Sequence, residues 1–87
     1  MPARLSYAAA VSHSELDRAD RRVAQARERL ERQREIVQEL AARRHDTSTA
    51  AALLRAMRRT LEAFEEDRRL IEDEMFSAKS EGVALKG

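Results

Sequence analysis

The stretch Arg44-His45-Asp46-Thr47-Ser48-Thr49 decides how the rest of the chain is read. Its short polar side chains bond neighbouring backbone groups in place of helix bonds, which is how turns and helix N-caps arise. Before it, Leu16, Ala19, Val23, Ala26, Leu30, Val37 and Leu40 recur at steps of three and four, broken at the intervening core position by Gln33. After it, Ala50, Leu54, Met57, Leu61, Phe64, Arg68, Ile71, Met75 and Ala78 repeat the spacing. Each series is the apolar stripe of one long helix.

Two stripes of similar length joined by a short loop cover each other by packing side by side in opposite directions. The expected fold is therefore all-α, an antiparallel two-helix hairpin of coiled-coil type. Its expected organisation is a flexible arm over 1–13, a helix over 14–44, a turn over 45–48, a helix over 49–79 and a flexible tail over 80–87. Ser12 or Ser14 is expected to cap the first helix, with Glu15, Asp17 and Asp20 favourable in its early turns and Arg43, Arg44 and His45 at its far end. Asp46 or Thr47 is expected to cap the second, which should stop before Gly82. Within that helix, Glu65 with Arg69 and Arg68 with Glu72 are favourable i,i+4 pairs.

A bend near Asp46 sets an expected register: Leu40 meets Leu54, Val37 meets Met57, Leu30 meets Phe64 and Val23 meets Ile71. Two layers of that seam are weak, with Gln33 opposite Leu61 and Ala26 opposite Arg68. Both are expected to be half exposed, the Arg68 stem lying along the groove with its charge in water.

Ile36 and Leu53 fall outside the stripes on one flank near the bend, and they widen the apolar surface there. A lone helix pair covers each helix on one side only, so this flank, with Leu40 and Thr60, is the expected interface. Its partner would be a second copy, giving a homodimeric four-helix bundle, or another helical protein. The expected role is a non-enzymatic protein-interaction or assembly module.

Composition narrows the alternatives. Of 87 residues, 38% are charged and 3% aromatic, the profile of solvated helices rather than of a sheet. A chain this short hides a modest fraction of its apolar surface, so borrowed stability is expected. A formal net charge of +1 gives no global field toward nucleic acid or anionic lipid. No Cys and two His, His13 and His45, leave no thiolate site and too few ligands for a typical zinc centre. No stretch approaches the roughly 20 apolar residues that cross a bilayer, nor is there a secretory signal, so no membrane association and a cytoplasmic location are expected.

The chain also lacks catalytic signatures. The acids Glu62, Glu65, Glu66, Asp67, Glu72, Asp73 and Glu74 lack the Glu-x-x-His partner of a di-metal bundle, and they fall mostly on a solvated face. With two Gly residues the chain cannot build a phosphate loop or a nucleophile elbow. No catalytic residue, cofactor or metal is expected. Ser12-His13-Ser14-Glu15-Leu16-Asp17-Arg18 resembles the His-Glu-Leu-Arg box of sensor histidine kinase dimerisation domains, but Ser14 separates His from Glu and the following Pro is missing. His13 is expected to be an ordinary exposed residue.

A local basic cluster supplies the second functional expectation. Arg43, Arg44 and His45 precede the bend, while Arg55, Arg58 and Arg59 follow it, so folding gathers them at one end. Acids from Glu15 to Asp20 and from Glu72 to Glu74 gather at the other. The alternative role is a small dimeric regulator gripping RNA or DNA phosphates through Arg43, Arg44, Arg55, Arg58 and Arg59, as architecture alone allows in two-helix plasmid copy-number repressors. Against it, base stacking wants aromatics, and Tyr7, Phe64 and Phe76 are few.

Arg32-Gln33-Arg34-Glu35-Ile36, His45-Asp46-Thr47 and Ala52-Leu53-Leu54-Arg55 together resemble a group of small uncharacterised bacterial helical-hairpin proteins. The resemblance spans about Val23 to Arg69. It implies the hairpin and brings no activity.

Overall fold

The computed structural model consists of two helices, α1 (Pro2–Ala42) and α2 (Ser48–Lys86), which run antiparallel and pack along each other. The structure describes the backbone of residues 2–86 and the side chains of residues 13–77. No strand occurs among the described residues. The hairpin expected from the stripes is thus the observed fold.

Both helices begin or end away from the expected bounds. At the bend α1 stops at Ala42 and α2 starts at Ser48, whereas at the open end the backbone stays helical out to Pro2 and Lys86. Pro2 can open a helix, because its missing N–H is one that no helical carbonyl would reach. Nothing between Ala3 and Val11 then breaks it, since Ala and Leu are strong helix formers. Ser12 and Ser14 are therefore not caps, and Glu15, Asp17 and Asp20 lie mid-helix, where the terminal dipole does not act on them. Gly82 is carried inside α2 instead of ending it, at the usual cost of a helical glycine. The side chains of residues 1–12 and 80–87, expected to form an arm and a tail, lie outside the described residues.

The end of α1 is a Schellman turn. His45 N–H donates to the Leu40 carbonyl at 2.8 Å and Arg44 N–H to the Ala41 carbonyl at 3.0 Å. This pair of bonds satisfies carbonyls that the helix end would otherwise orphan. The geometry requires a left-handed residue, and Arg44 supplies it at φ 59°. A non-glycine residue there costs about 1 kcal/mol. Arg43, Arg44 and His45 consequently sit beyond the last turn of α1, which holds no basic residue.

Asp46 then sets the entry to α2. Its carboxylate accepts the Ser48 backbone N–H at 2.9 Å and the Ser48 hydroxyl at 2.6 Å. The first helical bond runs from Ala51 N–H to the Thr47 carbonyl at 2.8 Å, which makes Thr47 the N-cap residue. The two Ser48 bonds favour the ionised form, so the Asp46 pKa lies below the ordinary 3.8.

The core is asymmetric. Among the described residues those that are buried all come from α1, namely Ala19, Val23, Ala26 and Gln33, while the α2 stripe from Ala50 to Met75 is half-buried. Small α1 side chains let α2 approach, and the larger Leu, Met, Phe and Ile of α2 lap over them with one edge left in water. Burying a side chain such as Val23 contributes about 1.5 kcal/mol or more.

The register departs from expectation. Asp20 pairs with Arg68, Arg22 with Asp67 and Arg27 with Glu65, while the Gln33 side-chain amide donates to the Ala50 carbonyl at 3.0 Å. In every case the α2 partner lies nearer the bend than the expected pairing placed it. The midpoint between Ala42 and Ser48 is residue 45, and moving the bend toward the N-terminus by one or two positions slides each facing pair by up to a turn, in the direction of these contacts but short of the offset between Leu61 and Ala50. Arg68 is therefore set against Asp20 rather than Ala26, and Gln33 is tied to Ala50 rather than facing Leu61. Gln33 is also not half exposed: at 6% exposure it is a core residue with its amide bonded.

Candidate interaction surface and basic end

The hairpin has two flanks, each made of one edge of α1 and one of α2. Along the first, Arg27 pairs with Glu65 at 3.7 Å, and Arg68 bridges Asp20 and Glu72, the latter at 3.1 Å. Asp20, through both a hydrogen bond and its charge, and then Glu72 push the Arg68 pKa above its ordinary value. Arg69 pairs with Glu66 rather than with Glu65, because Glu65 turns toward α1. A polar hollow on this side is lined by Arg27, Glu62, Glu65, Glu66, Arg68, Arg69 and Glu72. All of these except Glu62 take part in an ion pair within the chain.

The second flank is different. A cleft of about 320 Å³ runs between Gln25, Ala26 and Arg29 of α1 and Met57, Thr60 and Phe64 of α2, with Arg22 at one end. Steps of three, four, three and four lead along α1 from Arg22 through Gln25, Arg29 and Arg32 to Ile36. On α2 the same alternation leads from Leu53 through Met57 and Thr60 to Phe64. Ile36 and Leu53 thus continue the walls of this cleft toward the bend. They are 40% and 47% exposed.

The structure places all four expected interface residues near or along this flank. Ile36, Leu53 and Thr60 are exposed, and Leu40 is half-buried beside the bend. Thr60 turns its hydroxyl back to the Ala56 carbonyl at 3.1 Å, which leaves its methyl group to the cleft. In the sequence pattern Met57 and Phe64 hold seam positions only. Their place in the cleft wall follows from their size, because they overhang the small α1 residues. Two further exposed apolar residues, Leu70 and Phe76, carry no sequence signal, since neither lies on the α2 stripe.

At the bend, Arg43, Arg44, His45, Arg55, Arg58 and Arg59 are all exposed. Among the described residues none of these six takes part in an ion pair, in contrast to Arg22, Arg27, Arg34, Arg68 and Arg69 farther along the rod or on its flanks. His13 is exposed on α1, away from this cluster. Among the described residues no group of three His, Asp or Glu converges as metal ligands would, and no helix is long and apolar enough to cross a membrane.

Set against known protein families, characterised proteins and solved structures, the chain matches none.

Proposed function

We propose that the hairpin is a non-enzymatic interaction module that docks its Ile36–Leu53 flank onto a second copy of itself, forming a four-helix bundle, or onto another helical protein. One observation carries this reading: the arginines of the ion-paired flank meet acids of the same chain, whereas the opposite flank leaves two large aliphatic side chains and a cleft walled by Met57 and Phe64 open to water. Burial of apolar area is the main driving force of association, at roughly 25 cal/mol per Å². A coiled-coil hairpin whose buried residues come from one helix gains more from such burial than a domain with a closed core does. Sedimentation of the full chain tests it. At tens of micromolar the expected mass is that of a dimer, and joint replacement Ile36→Glu with Leu53→Glu should return it to monomer. A dimer that survives both changes places the contact elsewhere.

The unpaired arginines support a second reading, a phosphate-binding role for Arg43, Arg44, Arg55, Arg58 and Arg59. Binding to RNA or duplex DNA would then weaken steeply with salt through counterion release. Replacing Arg55, Arg58 and Arg59 by Ala should flatten that slope. No gel shift at low salt eliminates this reading.

A further inference from the structure

The two edges that form the apolar flank carry opposite chemistry. The α1 edge, Arg22, Gln25, Arg29, Arg32 and Ile36, is basic with one aliphatic residue near the bend. The α2 edge runs at steps of three and four through Leu53, Ala56, Thr60, Ala63, Asp67 and Leu70, so it is apolar with an acid toward the open end. The same-chain pair Arg22–Asp67, at 3.8 Å and with both side chains about half exposed, fixes the relative height of the two edges. At that register Ile36 stands level with Leu53.

A second copy can face this flank in two ways that preserve two-fold symmetry. With the axis perpendicular to the rod, the bends lie at opposite ends and α1 covers the partner's α1. The basic edge then meets itself: an arginine near mid-rod, Arg29, approaches its own symmetry mate, and Leu53 meets the height of Asp67. With the axis parallel to the rod, heights are preserved and α1 covers the partner's α2. Ile36 then meets Leu53, Arg29 meets Thr60, and Arg22 gains a second carboxylate in the other copy's Asp67.

Resting on the self-association reading above, we infer that two copies pack with their bends at the same end, each basic α1 edge over the apolar and acidic α2 edge of its mate. The occupant must run the length of the rod. A stable interface needs about 800 Å² per partner, and the described stretch of the hairpin offers a face about 45 Å long, at 1.5 Å per residue, by 19 Å wide. A second hairpin fits that length and supplies the complementary edge. The arrangement brings two sets of bend arginines to one end. Those charges point into solvent, where screening acts over about 8 Å at physiological salt, whereas the edge contacts are direct.

The chain has no cysteine, so a single spin label at Ala42→Cys reports on one site per copy. Bends at the same end place the two labels within about 30 Å of each other, and bends at opposite ends place them beyond about 40 Å. A second measurement uses charge. Arg22→Asp alone and Asp67→Arg alone should each weaken self-association several-fold, while an equal mixture of the two variants should recover it by forming a mixed dimer. A long distance, or a mixture no tighter than its components, overturns the inference and leaves the Ile36–Leu53 interface standing. A monomer at tens of micromolar overturns the inference too, and it leaves only a different protein as the partner of that flank.

Discussion

The two flanks are built from the same helices and from overlapping residue types, yet one is chemically finished and the other is not. On the paired flank, Arg27, Arg68 and Glu65 reach acids and bases within the chain. Exposed ion pairs of this kind contribute little, about 0 to 1 kcal/mol each, but they match every arginine of that hollow with an acid of the same chain. On the other flank a single pair, Arg22–Asp67, closes one end of a cleft walled by Met57 and Phe64, and Ile36 and Leu53 stand exposed farther toward the bend. The difference arises from where the larger side chains fall. Along α1 the core positions are small and sink, so the large α2 residues cannot be covered from both sides by one neighbour.

Charging one flank and then the other should have the largest effect. Ile36→Glu with Leu53→Glu should raise the self-dissociation constant at least about 100-fold, close to 3 kcal/mol. Four aliphatic side chains leave the dimer interface, each contributing on the order of 1 kcal/mol. Arg27→Ala with Glu65→Ala on the paired flank should leave the sedimenting mass unchanged. Equal losses from both pairs would show that the flanks do not differ in function.

Much of this was legible in the residues. The two stripes, the reversal around Asp46 and the flank holding Ile36 and Leu53 follow from periodicity and turn chemistry, which act locally. The register did not follow. A stripe repeating every seven residues packs against another at several offsets, so the choice falls to the loop, and the loop hinges on Arg44. A glycine at that position would have signalled the left-handed turn, but an arginine gives no such signal. The start of α1 was hidden for a related reason. Ser12 and Ser14 read as caps, although a serine can sit mid-helix where strong helix formers precede it.

Gln33 links the register to the seam. Its burial and its bond to Ala50 tie the first turn of α2 to the bend-side part of α1, which is how a polar core residue fixes alignment at some cost in stability. Gln33→Ala removes the hydrogen bond and leaves a void. The expected loss is about 1 to 2 kcal/mol in urea unfolding of the full chain at fixed concentration. A loss near zero would mean that the amide adds nothing to the alignment of the two flanks. Arg44→Gly works in the other direction. It relieves the left-handed residue of the Schellman turn and should add about 0.5 to 1 kcal/mol without altering dimer mass. A decrease would show that the arginine side chain contributes more at the bend than its backbone costs.

The smallest expected effect concerns the link between the flanks at the bend, and it depends on pH. Asp46 holds Ser48 by two bonds that require the carboxylate, so its pKa in the folded chain lies below 3.8, the value it regains on unfolding. A depressed carboxylate pKa contributes stability that is complete above the unfolded value and disappears as pH falls through the folded one. The contribution should thus be flat from neutral pH down to about pH 5 and should fade below about pH 4. Asp46→Asn keeps an acceptor oxygen while removing the titration. In that variant the first turn of α2 should exchange its Ser48 amide faster at neutral pH. The difference from the parent chain should close as the medium is acidified. Equal exchange in the two chains at every pH would mean that the loop is held by its backbone bonds alone. The offset between α1 and α2 would then owe nothing to the acid at its hinge.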